Sequence, residues 1–402
     1  MINTTAFMAD SVQDFMCTMG ACEDNCCRNT TWTIHVDSDT YEKYKNYGGE
    51  LGEHILSCID ATHDNKGYKF KEFDHGHCPL LTDEGLCYIH RNLGEEYLCT
   101  TCASYPRIWE SFNGKAEYWL SLSCPDAIRH VLYRKKKITF LPDVSVSIFS
   151  KIPPAEPFSA EKYDMRDFLI SITQHRKFSI KEKLLLMGLF MRTASKLPKN
   201  DSFAKSLRDL KTAYRGYMGS SGFLDTLISD MGEMHPENRK DYLKIVTKTA
   251  AAAATPPKKI PEGITNADYY RLMVAFHEDV MSGGADEYIV DVFDRLIVPY
   301  VNANTYVFEN YLAYSIVSTR FVKEADDFAS AYAGFAGEFI SMLAFTAGMF
   351  HKNEKLTHDE MIIGMYLFHR KVSHALALRK RLAEIFSNDI LTMLLGSLGG
   401  IR

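Results

Sequence analysis

Ten cysteines stand at positions 17, 22, 26, 27, 58, 78, 87, 99, 102 and 124, and the rest of the 402-residue chain holds none. Scattered at random, ten cysteines would gather in so short a leading segment roughly once in a hundred thousand chains. The segment is therefore a cysteine framework, built either on disulfides or on metal. Disulfides need an oxidising compartment. The stretch Met1 to Cys17 mixes Asp10, Gln13 and Asp14 among its apolar residues, unlike an export signal, so a cytoplasmic protein is expected. Cys26 and Cys27 are neighbours, and a bridge between neighbours is strained. For metal ligation, close pairs are an advantage, because one tight turn brings two thiolates to one ion.

The spacings favour metal. Cys99-Thr100-Thr101-Cys102 is a Cys-x-x-Cys knuckle, and Cys17, Cys22, Cys26 and Cys27 follow one another within eleven residues. Thiolate sites suit zinc or iron–sulfur clusters. A zinc ribbon would show two regular knuckles, and only one is present, so both metals stay open. His75 and His77 precede Cys78; with sulfur already abundant they read as loop histidines. Cys58 lies outside every motif and reads as a buried thiol.

The chain carries 46 Lys+Arg against 51 Asp+Glu, a net charge of −5, which argues against a protein that grips nucleic-acid phosphates. Arg134-Lys135-Lys136-Lys137 is a local basic run and reads as a solvated helix end or loop. The most apolar stretch, Ala333 to Phe350, includes Glu338 and falls short of a membrane span. No nucleic-acid or membrane partner is expected.

The fold class expected is mainly α: a small Cys-rich metal- or cluster-binding module with a few short strands over 1–150, then a large all-α domain over 151–402. Thr31 to Val36 and Lys115 to Leu122 alternate as strands. Pro142, Pro153, Pro154 and Pro157 mark the boundary. Beyond it, Ser179–Glu182 and Thr357–Glu360 are capping boxes, each ahead of an apolar run. Ala250 to Ala254 ends a helix before Pro256-Pro257. Phe328, Tyr332, Phe335, Phe339 and Met342 form one helical stripe, with Asp326 and Asp327 in its acidic first turn. His369 and His374 are five apart, do not share a helix face, and read as surface or core residues.

The run Cys78-Pro79-Leu80-Leu81, Gly85 to His90 and Cys99 to Arg107 resembles the Cys-rich zinc- or iron-chelating domains of many bacterial proteins. Among their relatives the chain is similar to the flagellin lysine-N-methylase (FliB) family. The resemblance rests on Phe15 to Cys27, on Ser123-Cys124-Pro125 and on a long helical C-terminal part. It implies a protein-lysine N-methyltransferase acting on flagellin, with S-adenosylmethionine as donor and an iron–sulfur cluster, of the 4Fe-4S type, in the Cys-rich module. Carried over by position, its ligands come from Cys17, Cys22, Cys26, Cys27, Cys78, Cys87, Cys99, Cys102 and Cys124. The donor assignment rests on the family alone. There is no Cys-x3-Cys-x2-Cys and no dinucleotide-type glycine loop after a strand. Gly216 to Gly222 reads as an interhelical turn.

A lysine methylase must hold its substrate amine neutral, against a pKa near 10.4. Glu309, Asn310 and Tyr311 bring a carboxylate, an amide and a phenol together on a helix and are candidates to receive it, beside their reading as helix surface and core. The alternative to an enzyme is a non-enzymatic zinc- or iron-binding module or scaffold. The long Cys-free helical part weighs against it.

Overall fold

The computed structural model describes residues 2–28, 33–63, 67–71, 77–112, 115–148, 159–220, 222, 223, 226, 236–256, 260, 267–323, 325–372, 376–386 and 389–402. The protein is mainly helical, and the strands among these residues all precede position 149. It folds into two compact units. The first takes in Met1–Ile128, Thr139–Glu156 and Pro256–Val274; the second takes in Arg129–Ile138, Pro157–Thr255 and Ala275–Arg402.

The first unit holds two sheets, built from β1 (Ile2–Ala9), β2 (His35–Val36), β3 (Ile59–Ala61), β4 (Tyr68–Phe70), β5 (Arg107–Phe112), β6 (Lys115–Leu120) and β7 (Phe140–Ile148). The larger has the order β5-β6-β1-β7. β1 runs parallel to β6, in register Ala6 with Ala116, and antiparallel to β7. Ala116, Tyr118 and Leu120 of β6 are buried, and so are Glu117 and Trp119 between them, as suits an inner strand covered on both faces. The alternation over Lys115 to Leu122 thus forms the expected strand. Pro142, one of the prolines that mark the module boundary in the sequence, lies in the edge strand β7. The β1–β7 register shifts between Ala6 and Met8, opposite Pro142 and Asp143. A proline has no N–H for the ladder and is accommodated at an edge bulge. Of the strand expected over Thr31 to Val36, β2 forms, while Thr31 and Trp32 lie outside the described residues.

The small sheet, order β2-β4-β3, backs the cysteine-rich loops. Its apolar cluster combines Val36, Tyr44, Ile55, Phe70, Leu80 and Ile89 with Cys58, Cys78 and Cys99. Sulfur is thus part of the core here.

The second unit is helical. Ile180–Ser195 opens on the expected capping box, with Ser179 accepting from the Glu182 N–H and Glu182 bonding back to Ser179. Thr357 and Glu360 repeat the device before His358–Val372. Ser179→Ala should cost about 1 kcal/mol, read as a lower urea midpoint at unchanged slope. The helix Phe328–Met349 forms the centre, and burial extends around nearly its whole circumference, beyond the single stripe expected. It is long and apolar enough to cross a membrane, yet 83% of its most apolar window is covered by protein. Gly334 explains how closely one neighbour packs: a Cβ there would lie 2.7 Å from the Arg379 carbonyl oxygen, on Leu376–Phe386. Asp327 is the N-cap of the central helix, accepting from Ser330 N at 2.8 Å, one position before the first turn expected for it. The helix Phe203–Gly219 runs through Gly216, so the turn expected there begins later; the buried Leu207 and Tyr214 anchor it. The helix Pro236–Ala253 stops ahead of Pro256 as expected.

Candidate metal centre

Six of the ten cysteines lie on three chain segments, and one backbone hydrogen bond and the Asn25 side chain tie the first two together. Cys26 and Cys27 sit on a short 3-10 turn. Asn25 accepts from the Cys27 N–H at 2.8 Å and donates to the Gly85 carbonyl at 3.2 Å. The Cys78 N–H donates to the Cys27 carbonyl at 2.6 Å. Cys78 and Cys87 flank a tight hairpin in which Gly85 adopts a φ of +77°, where a side chain would be strained. Cys87 is the N-cap of Tyr88–Leu93, and Cys99 is the N-cap of Thr100–Ser104.

Asp37 holds the third segment in place. One carboxylate oxygen caps Ser38–Tyr47 through Thr40; the other accepts from Thr100 N at 3.1 Å and Thr100 Oγ1 at 3.0 Å. Burial pushes the Asp37 carboxyl up, but the Thr100 and Thr40 donors outweigh it and hold the group below its ordinary pKa. Sequence reasoning passed over Asp37. The available signal was an Asp-x-x-Thr cap next to the strand at His35–Val36.

The result is a gathering of six thiols. Cys27 hydrogen-bonds with Cys26 and with Cys87, and Cys99 with Cys102. Cys78 lies within electrostatic reach of Cys87 and Cys99, and Cys102 within reach of Cys26 and Cys78. None of the ten cysteines forms a disulfide. The two N-cap thiols are set apart from the others. The hydrogen bond with Cys27, aided by the His90 and Ile89 N–H groups, brings Cys87 down to about 6 against the pull of burial. Cys99 is lowered by Cys102 and by the N–H groups of its own helix. Their partners Cys27 and Cys102 move up, chiefly because each donates its proton to a neighbouring sulfur. Burial raises Cys78 to about 12. A thiolate at a helix N-terminus beside a protonated thiol is a chemically sound start for metal capture.

The other expected ligands sit differently. Cys17 and Cys22 are near each other and near Asp126, which accepts from Thr18 N and Thr18 Oγ1 at 3.0 and 2.6 Å. Burial raises Cys22 to about 12, and Cys17 is within reach of Cys26. Cys124 is buried just before the helix Pro125–Leu132. Cys58 is buried in the apolar cluster, as expected for a plain thiol. His77 Nδ1 contacts the Cys78 carbonyl at 3.2 Å, and His75 lies outside the described residues. Among the described residues no three His, Cys, Asp or Glu side chains form a coordinating group. Cys26, Cys27 and Cys87 form one hydrogen-bonded set and Cys99 and Cys102 another, and the chemistry of thiol donors suits a thiophilic ion or cluster.

The trio Glu309–Asn310–Tyr311 lies on the helix Thr305–Ser318, with each group engaged internally. Glu309 pairs with the fully buried Lys183. Asn310 donates to the Leu132 and Arg134 carbonyls, and the Tyr311 hydroxyl meets His369 Nε2 at 3.2 Å. These contacts tie the helix to its neighbours within the helical unit. His369 is a core residue; His374 lies outside the described residues.

The model of the FliB lysine N-methylase C-terminal domain matches residues 166–396. A lysine-N-methylase of Salmonella typhimurium strain LT2 is 22% identical over 376 residues, covering 90% of both chains. A lysine-N-methylase of Salmonella choleraesuis is 23% identical over 378 residues, again 90% of both. The flagellar biosynthetic protein FliU of Salmonella muenchen is 31% identical over 136 residues, 30% of this chain and 73% of that one. No solved structure matches.

Proposed function

The chain belongs to the FliB lysine N-methylase family, and from that premise we propose that it is a protein-lysine N-methyltransferase acting on flagellin, with S-adenosylmethionine as donor and a four-iron cluster on its thiols. The observation that carries this reading is the family match across most of the helical unit. The lysine-N-methylase relatives extend it along 90% of the chain, and the FliU likeness supports a flagellar substrate.

The thiol gathering supports the cluster. Cys87 and Cys99, the two thiols whose surroundings favour the thiolate, would be the first ligands, and Cys26, Cys27, Cys78 and Cys102, which interact with them or with one another, would supply the others. A cluster held by these thiols would supply Lewis-acidic iron and would tie together the three loops that carry Cys26–Cys27, Cys78–Cys87 and Cys99–Cys102. The protein's own task is to strip a lysine ammonium of its proton. Lowering the amine's pKa by two to three units takes roughly 3–4 kcal/mol, within the reach of burial and nearby positive charge.

The test is anaerobic incubation of iron-reconstituted protein with S-adenosylmethionine and flagellin, followed by mass analysis. Lysines gaining mass in one-methylene steps, from a brown protein, are expected. No gain overturns the methylase reading. A colourless, zinc-loaded protein that still methylates overturns the cluster alone.

A further inference from the structure

We infer that the basic loop Arg134–Lys137 and the turn at Arg176 and Lys177, both in the helical unit, form one docking surface for an acidic stretch of the protein substrate. This assignment rests on the methylase reading and adds to it how the substrate is held.

The two segments are joined by hydrogen bonds. The basic run follows the helix Pro125–Leu132 as a loop, and Arg176 and Lys177 follow the helix Ala160–Thr173. Gln174, at the C-cap of that second helix, grips the loop twice. Its carbonyl accepts from Lys137 Nζ, and its Nε2 donates to the Ile138 carbonyl at 2.6 Å. The buried Asn310 fixes the start of the loop by donating to the Leu132 and Arg134 carbonyls at 3.1 and 2.9 Å. Lys137 then lies within electrostatic reach of Arg176, and His175 within reach of both Lys137 and Lys177. Lys135, Lys136, Arg176 and Lys177 are exposed, and Arg134 and Lys137 are half-buried.

The charge on this surface is not cancelled locally. Neither segment contains an Asp or a Glu. Glu309, the acid within reach of Lys137, is committed to the fully buried Lys183, and Glu182 is committed to the capping box at Ser179. His175 adds no charge, because burial and then the nearby lysines lower its pKa from 6.5 and keep it neutral. Two helix C-termini end here, each carrying about half a negative charge. Together they offset about one cation, so the surface stays positive. Like charges held together repel, and an anionic partner removes that repulsion on binding.

A carboxylate-bearing protein segment is the partner that fits. The chain as a whole carries a net charge of −5, which opposes a long nucleic acid running beyond the patch. The large apolar side chains exposed among the described residues lie outside both segments, so the patch lacks the apolar contact that binding to a lipid surface adds. The same cations repel a lysine ammonium. The acceptor lysine therefore reacts elsewhere, and carboxylates borne by the same substrate make the contact.

The experiment measures flagellin methylation by the reconstituted full chain at rising salt. It compares the parent with a reversal variant, combining Lys135→Glu, Arg176→Glu and Lys177→Glu, and with a conservative variant, combining Lys135→Arg, Arg176→Lys and Lys177→Arg. At low salt the reversal variant should raise KM roughly tenfold or more with kcat held, because an anchor remote from the reacting groups contributes equally to ground and transition states. The parent's KM should climb between about 50 and 300 mM salt, and that of the reversal variant should not. The conservative variant should match the parent in both respects. Thermal melts matching the parent establish that both variants fold. A reversal variant with the parent's KM and salt dependence, or one that loses kcat at constant KM, overturns the docking surface and leaves the methylase reading standing. A polyuridine strand retarded by the parent and released by the reversal variant, with KM unmoved, also overturns it and assigns the patch to nucleic acid. A parent chain that methylates nothing overturns both.

Discussion

Arg379→Ala should destabilise the helical unit by about 3–5 kcal/mol, the range for stripping one partner from a buried ion pair. Glu338 lies on the central helix, only 3% exposed, with apolar side chains on both sides of it. Its charge is met by Arg379 Nε, while Arg379 Nη1 donates to the Thr319 carbonyl at 3.0 Å. One guanidinium therefore neutralises a buried carboxylate and also satisfies the carbonyl that ends the helix Thr305–Ser318. Truncation leaves the carboxylate uncompensated and the carbonyl short of a donor. The pair itself adds little net stability, because both ions were desolvated to form it. Glu338→Leu combined with Arg379→Met should thus regain most of the loss. Denaturant unfolding of the parent, the single and the double variant decides the matter. A single variant within 1 kcal/mol of the parent, by the spread expected of surface changes, would show that Glu338 is not held as an ion.

How far the sequence carries depends on whether an interaction is local. Both capping boxes lie within four residues and were legible, as were the Lys115 strand and the helix stop before Pro256. The cysteine spacing identified the sulfur-bearing loops, but their convergence was not legible. It depends on Asp37 reaching Thr100, 63 residues away, and on Asn25 reaching Gly85, 60 away. The trio at Glu309 shows the converse. Its local order left a substrate site open beside the reading as helix surface and core, and the partners that engage it, Lys183 and His369, come from 126 and 58 residues away. His358 was read only as part of a cap. Its contact with the Tyr300 hydroxyl joins residues 58 positions apart, beside a π-turn that no hydrophobic period announces.

The same buried network makes the fold acid-sensitive in a distinct window. His369 is fully enclosed, and burial lowers its pKa from 6.5 to about 4, with Arg379 adding to the drop and Glu338 opposing it. Its Nε2 lies 3.2 Å from the Tyr311 hydroxyl, inside the same apolar surroundings. The unfolded chain protonates this histidine below about 6.5, while the folded chain resists until about 4. The unfolded state binds more protons in between, so stability is complete above 6.5 and falls as the pH drops through the interval. A fall from 6.5 to about 4 corresponds to roughly 3 kcal/mol. Carboxylates such as Asp37 and Asp327, held below their ordinary values by backbone donors, contribute their losses at lower pH, from about 4 downward. Urea midpoints measured from pH 7.5 to 4.5 should therefore decline already above pH 5 in the parent. In His369→Gln, which keeps a polar group for Tyr311 but cannot titrate, that upper slope should vanish while the acid limb persists. An equal slope in both proteins would mean that another group titrates in this window and that His369 is protonated without cost.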